Sequence, residues 1–235
     1  RIFHYDGSDS ITYRNTIMSA KTKDFISFSN IRDEFFMYSA DNDDGIKWHR
    51  YDLDSTTSYG INFIVWTPFG GNEIYTPGKP EGIDSDGENL IVLAVDQMGV
   101  ELYSMDSLGA NLSLIGRVDT KGNAEKVRLL SEGVFASCDD AGAYFIPLES
   151  FNSERPEKFR FAEDFTVDHI SVNANNTIAA LSIGSKGIAL YDISDMQNPI
   201  ERGIFSIGYT YSSIFWEDKL VVCSREGLQV INIQI

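Results

Sequence analysis

One spacing constrains this chain more than any other feature: a glycine-led apolar strand returns about every 43 residues. It reads Gly99-Val-Glu-Leu-Tyr-Ser-Met105, Gly142-Ala-Tyr-Phe-Ile-Pro-Leu148, Gly187-Ile-Ala-Leu-Tyr-Asp-Ile193 and Gly227-Leu-Gln-Val-Ile-Asn-Ile233. Gly45-Ile-Lys-Trp-His-Arg-Tyr-Asp-Leu53 is the same pattern stretched by two residues. The gaps between leading glycines are 54, 43, 45 and 40 residues. Tight polar hairpins at Asp33, Gly87, Glu132, Asn175 and Asp218 recur separately, with gaps of 54, 45, 43 and 43. Two different features on one period define a structural repeat, and a repeat decides the fold before local propensity does.

Each unit has room for four short strands separated by turn residues. No segment shows a capped apolar period of 3.6, so helices should be few. Four antiparallel strands per unit of this length predict an all-β fold, a β-propeller of four-stranded blades. Labelled from the centre outward, A strands are expected near 25–30, 79–84, 126–130, 167–172 and 209–215. B strands follow near 35–39, 90–95, 134–138, 177–183 and 220–223. The glycine-led segments are the C strands, and D strands fall near 11–18, 61–66, 112–118, 157–162 and 200–206. Five blades are visible. Ile2-Phe-His-Tyr-Asp6 matches Ala189-Leu-Tyr-Asp192 and is a C strand left over. Either residues 11–18 close the last blade, or the ring has six or seven blades. Residues 1–235 are expected to be one propeller domain whose N-terminus is truncated or processed.

Charge and cysteines narrow the partners. The formal net charge is −16, and such a surface repels phosphate backbones and anionic lipid. Nucleic acid is excluded as a partner class on that ground. The longest apolar run, Leu90 to Val95, has a strand's length, so direct membrane insertion is not expected. Cys138 and Cys223 fall at matching places two blades apart, beyond disulfide reach. Both are expected to be buried free thiols.

Gly187-Ile-Ala-Leu-Tyr-Asp-Ile-Ser-Asp-Met-Gln-Asn-Pro-Ile200, together with Leu220 to Ile233, resembles the LVIVD repeat. That pattern sets a glycine-led strand ending in Asp before a Ser-Asp-Pro-like turn and the next hairpin. The resemblance is good over 187–233, weaker over 99–148 and loose over 1–80. It implies a propeller fold and a cell-surface or extracellular setting, with a periplasmic one as the variant. It implies no catalytic residues.

In a propeller the B–C and D–A loops gather around one mouth of the channel. The B–C loops carry Asp41, Asp43, Asp139 and Asp140 on one sector, Lys186 and Arg225 on another. The four carboxylates are a candidate Ca²⁺ site, because hard cations take several oxygen ligands; no other cofactor is indicated. As turn formers the same residues need bind nothing. The long D–A segment Thr67 to Pro80 bears Phe69, Asn72, Glu73 and Tyr75, either a binding loop on a rigid scaffold or a cover folded back over the channel or a blade edge. His169 is expected to line the channel beside Asp168.

The resulting expectation is a non-catalytic interaction or scaffold module whose partner is another protein chain or a glycan. The alternative is a carbohydrate-active propeller enzyme, a glycoside hydrolase or lyase type, using Asp84 and Asp168 as paired channel carboxylates.

Overall fold

The computed structural model describes residues 2–5, 11–15, 22–29, 35–41, 45–54, 62–66, 73–74, 76–106 and 111–233, with side chains at 22–26, 37–41, 45–47, 76–106 and 111–233. It begins with a hairpin of β1 (Ile2–Tyr5) and β2 (Ile11–Asn15). Five antiparallel sheets follow in chain order and form a β-propeller. Blade 1 holds β3 (Thr22–Ser29), β4 (Phe35–Asp41), β5 (Gly45–Asp54) and β6 (Asn62–Trp66), with β7 (Glu73–Ile74) also paired to β5. Blade 2 holds β8 (Gly82–Ser85), β9 (Leu90–Ala94), β10 (Val100–Met105) and β11 (Leu112–Val118). Blade 3 holds β12 (Lys126–Leu129), β13 (Gly133–Ser137), β14 (Ala143–Pro147) and β15 (Phe159–Phe161). Blade 4 holds β16 (His169–Val172), β17 (Ile178–Ser182), β18 (Ile188–Asp192) and β19 (Ile200–Phe205). Blade 5 has three strands, β20 (Thr210–Trp216), β21 (Lys219–Ser224) and β22 (Gly227–Asn232). A single 3₁₀ turn at Leu148–Asn152 is the helical content of the described residues.

The innermost strands stand side by side in the order β3, β8, β12, β16, β20. Strand β2 pairs with β1, Ile2 opposite Asn15, and among the described pairings it does not join β22. Residues 11–15 are thus the described partner of the leftover C strand.

Each interior layer lies between two blades. Tyr38 and Ile46 of blade 1 pack on Ile83, Ile91 and Tyr103 of blade 2. Val92, Val100 and Leu102 meet Val127, Val134 and Tyr144 of blade 3. Phe135 and Phe145 meet Ala179, Leu181 and Tyr191 of blade 4. Ile188 and Leu190 meet Leu220 and Val222 of blade 5. Period-two alternation explains this, since successive side chains of a strand serve opposite layers. Burying one such side chain contributes about 1.5–3 kcal/mol.

The B–C turn shows how local chemistry holds the blades in line. Asp96, Asp139 and Gly184 open three-residue turns with φ of 42°, 49° and 56°. Aspartate tolerates this left-handed region better than most residues. In that conformation their carbonyls accept the N–H groups of Ala124, Val167 and Thr210 of the following blade, at 2.9, 2.8 and 3.0 Å.

The cysteines require a correction. Both are free, but Cys138 is buried and Cys223 is exposed. Three residues separate Cys138 from Gly142, its hydrogen-bond partner, whereas two separate Ser224 from its cross-strand partner Gly227. Cys138 therefore matches Ser224 in register, and Cys223 points to the opposite face.

Candidate functional site

The inner strands carry channel residues in register. Pairing with the B strands aligns Asp24, Gly82, Lys126, His169 and Ser212 as one tier, then Ile26, Asp84, Arg128, Ser171 and Ile214 as the next. All of these but Gly82 and Ser212 line a channel cavity of about 310 Å³, together with Phe25, Ile83, Val127 and Ile170.

Within the first tier Lys126 Nζ reaches Asp24 Oδ2 at 2.6 Å, from blade 3 to blade 1. It passes over Gly82 of the blade between, where an added Cβ would lie 3.3 Å from Lys126 Cδ and 2.9 Å from Lys126 Cα. Asp24 also accepts the Ile83 N–H at 3.0 Å. In the second tier Asp84 accepts Arg128 at 3.1 Å and the Leu129 N–H at 2.8 Å. Burial pushes the Asp84 carboxyl up from its ordinary value against the pull of Arg128 and of its backbone donors. Ser171 and Ser213 join blades 4 and 5 at 3.2 Å. His169 lines the channel as expected. Burial, and secondarily Lys126, lowers its pKa to about 4, and its buried Nδ1 has no hydrogen-bond partner among the described residues.

One residue before the first tier, the mouth is acidic. Lys23, Glu81, Glu125 and Asp168 occupy equivalent places at the starts of the inner strands of blades 1 to 4. The backbone N–H groups of Glu81, Glu125 and Asp168 all bond to the adjoining B strand, at Ala94, Ser137 and Ser182. Lys23 pairs with Glu81 at 2.9 Å. Burial raises the Glu125 carboxyl, and the charges of Glu81, Asp139 and Asp96 raise it further, while Lys23 opposes them. Burial and then Asp139 raise Asp168. Among the described residues neither Glu125 nor Asp168 forms an ion pair.

The other expected residues are dispersed. Asp41 is buried on blade 1 and held by Lys47 at 3.4 Å, two blades from Asp139 and Asp140. Among the described residues no three His, Cys, Asp or Glu groups gather as a metal centre. Lys186 lies 4.7 Å over the Phe165 ring and Arg225 5.2 Å over the Tyr209 ring, so each cation stacks on a nearby loop aromatic. Asp43, Phe69, Asn72 and Tyr75 lie outside the described residues. Glu73 is placed by its backbone alone, opposite Lys47. No described hydrogen bond links Asp84 to Asp168, and their charged neighbours differ: Arg128 and Asp24 for one, Asp139 for the other. Asp84 ties blade 2 to blade 3 through Arg128 and the Leu129 N–H.

Glu81 and Glu125 were not singled out from sequence. Their signal was present, as an acidic residue directly before the inner strand in three consecutive repeats.

No family model matches this chain, and no curated protein matches it in sequence. Solved structures do resemble it. The computationally designed Ika8 protein is 10% identical with a TM-score of 0.59, covering 90% of this chain and 58% of that one. A humanized mutant of the Chaetomium thermophilum Polycomb Repressive Complex 2, bound to the inhibitor GSK126, is 11% identical with a TM-score of 0.66, covering 93% and 52%. The designed Ika4 protein is 10% identical with a TM-score of 0.50, covering 68% and 94%. The chain thus spans between half and three-fifths of the Ika8 and Polycomb chains. At such identity the likeness shows the fold alone.

Proposed function

We propose that this chain is a non-catalytic β-propeller interaction module that receives a cationic segment of a partner protein at its channel mouth. One observation carries the reading: Glu125 and Asp168 are partly buried beside further carboxylates, and Lys23, the cation whose charge opposes theirs at Glu125, is engaged by Glu81. Uncompensated negative charge in a concave, half-desolvated place favours a positive ligand and steers its approach. The channel below is occupied by internal ties, Asp24 to Lys126 and Asp84 to Arg128, which suits a structural axle better than a reaction centre.

The repeat over 187–233 is read here as LVIVD-like, with the cell-surface or extracellular setting that goes with it. Asp192, which ends the glycine-led strand, accepts the Ser194 N–H at 2.9 Å and pairs with Arg202. That is a reason for an aspartate to stand at this point of the pattern.

The test is fluorescence anisotropy with a labelled oligolysine peptide. Binding should weaken as salt rises. It should fall about tenfold in the Glu125→Gln/Asp168→Asn double variant, a difference of about 1.4 kcal/mol. Glu154→Gln/Glu157→Gln makes the same charge change on an exposed loop and should have little effect. Equal losses in both double variants would reduce the effect to net charge and overturn the proposal.

A further inference from the structure

The glycine-led strands place equivalent side chains at the first and third positions after glycine. In blades 2, 3 and 4 these are Val100 and Leu102, Ala143 and Phe145, Ile188 and Leu190, all buried by the next blade. Blade 5 has Leu228 and Val230 at the same two positions, 77% and 61% exposed. Cross-strand register puts Val221 and Ile214 beside Val230, Cys223 beside Leu228, and Trp216 beside Lys219 on that same face. Ile214 is 58% and Trp216 66% exposed. An apolar sheet face of this extent marks an association surface.

Its chemistry selects the occupant. In a chain of net charge −16, this face carries one ionic side chain, Lys219, which pairs with Asp218 at 2.8 Å. Two copies can therefore approach here without the repulsion that acts elsewhere on their surfaces. The edge agrees with the face. Strand β22 has β21 on one side, and among the described residues no strand on the other. Gly227-Leu-Gln-Val-Ile-Asn232 contains no charge and no proline, the two devices that commonly blunt an open edge. The rearward face of blade 1 is a poor match. There Ser39 stands where blades 2 to 5 have Leu93, Ala136, Leu181 and Val222, and the buried Asp41 pairs with Lys47 alongside.

We propose that two copies of this chain associate through blade 5, the exposed face and β22 edge of one against those of the other. A two-fold arrangement brings like against like, Leu228 and Val230 of each copy meeting the same patch on its partner. This surface is separate from the acidic mouth and does not depend on the function assigned to it.

Sedimentation velocity from about 1 to about 100 μM should show a reversible monomer–dimer equilibrium. High salt should leave it intact or strengthen it, as expected for apolar burial. Trp216→Glu and Leu228→Glu should each give a monomer with unchanged circular dichroism; Val230→Lys repeats the test should either variant fail to fold. Cys223 supplies a second readout, because Cys138 is buried. Its alkylation by iodoacetamide should slow as the wild-type protein is concentrated, and should be independent of concentration in Leu228→Glu. A wild-type monomer at the highest concentration overturns the proposal, as does a dimer that survives both substitutions. A monomer whose Cys223 is protected overturns it in favour of cover by the chain's own residues.

Discussion

Gly187 and Gly87 both hold positive φ, 98° and 77°, but for different reasons. A Cβ on Gly187 would lie 2.0 Å from the Phe205 carbonyl oxygen, whereas a Cβ on Gly87 meets nothing within 4 Å. Gly87→Ala should cost only the left-handed strain, about 1 kcal/mol. Gly187→Ala must also move β19 off β18, and should cost about 3 kcal/mol or more, beyond the middle of the range for single substitutions. Urea unfolding of the two variants measures the difference. Residues of this kind were readable in the sequence because a backbone requirement returns at one place in every unit. Asp139 stands out in the sequence for the same reason, and it shares with Asp96 and Gly184 a left-handed backbone whose carbonyl accepts an N–H of the next blade. The Asp24–Lys126 pair was not readable. It joins strands a hundred residues apart and depends on Gly82 being small, which no local pattern announces.

At the scale of the element, β10 carries a charge through the interior. Glu101 is fully buried; it accepts Arg117 Nε of β11 at 2.8 Å and the Tyr103 hydroxyl at 2.7 Å. Burial, then Glu101 itself, pushes the Tyr103 hydroxyl up, so it remains the donor throughout the range in which the protein is stable. Glu101→Ala strands the guanidinium and hydroxyl, and should cost about 3–5 kcal/mol by urea denaturation. The double variant Glu101→Leu/Arg117→Leu, which removes both charges, should recover most of that loss. Alternation in Val-Glu-Leu-Tyr-Ser-Met suggests a solvent-facing Glu101, and in most strands it would be. The adjoining D strand decides otherwise, because Arg117 lies directly opposite in register. The cysteine register failed for a related reason: a turn shortened by one residue reverses every side chain beyond it, and the glycine spacing alone does not show the shortening.

For the whole molecule the ionisable groups of channel and mouth pull against one another. His169 titrates near 4 when folded against an ordinary 6.5. Between those values the unfolded chain binds a proton that the folded chain refuses. Stability attributable to His169 is therefore complete above about pH 6.5 and is lost as pH falls toward 4, by up to about 2 kcal/mol after allowance for solvent screening. Glu125 and Asp168 have the opposite sign. Their raised folded pKa values mean that the folded chain takes up protons first on acidification, so their ionisation opposes folding at neutral pH. Glu125→Gln should raise Tm at pH 7 and should lose that advantage near pH 4. His169→Gln should flatten the decline between pH 6.5 and 4. Calorimetric scans of the three proteins across this range separate the two groups.

Among the described residues the interior consists of four layers in series, each shared by two consecutive blades. Blades 2, 3 and 4 are gripped from both sides. Among the described residues blade 5 hangs from one layer, in which Leu220, Val222 and Phe215 lean on Ile178, Ala180, Ile188 and Leu190. Elements stacked in this way share their apolar load with immediate neighbours, and the Asp24–Lys126 pair is the tie that skips a blade among the described ion pairs. Loosening any inner layer divides the stack, whereas loosening the last one releases a single three-stranded sheet. Among the described layers blade 5 is thus a fraying point, and whatever clasps its far side acts as a clamp on the blades behind it.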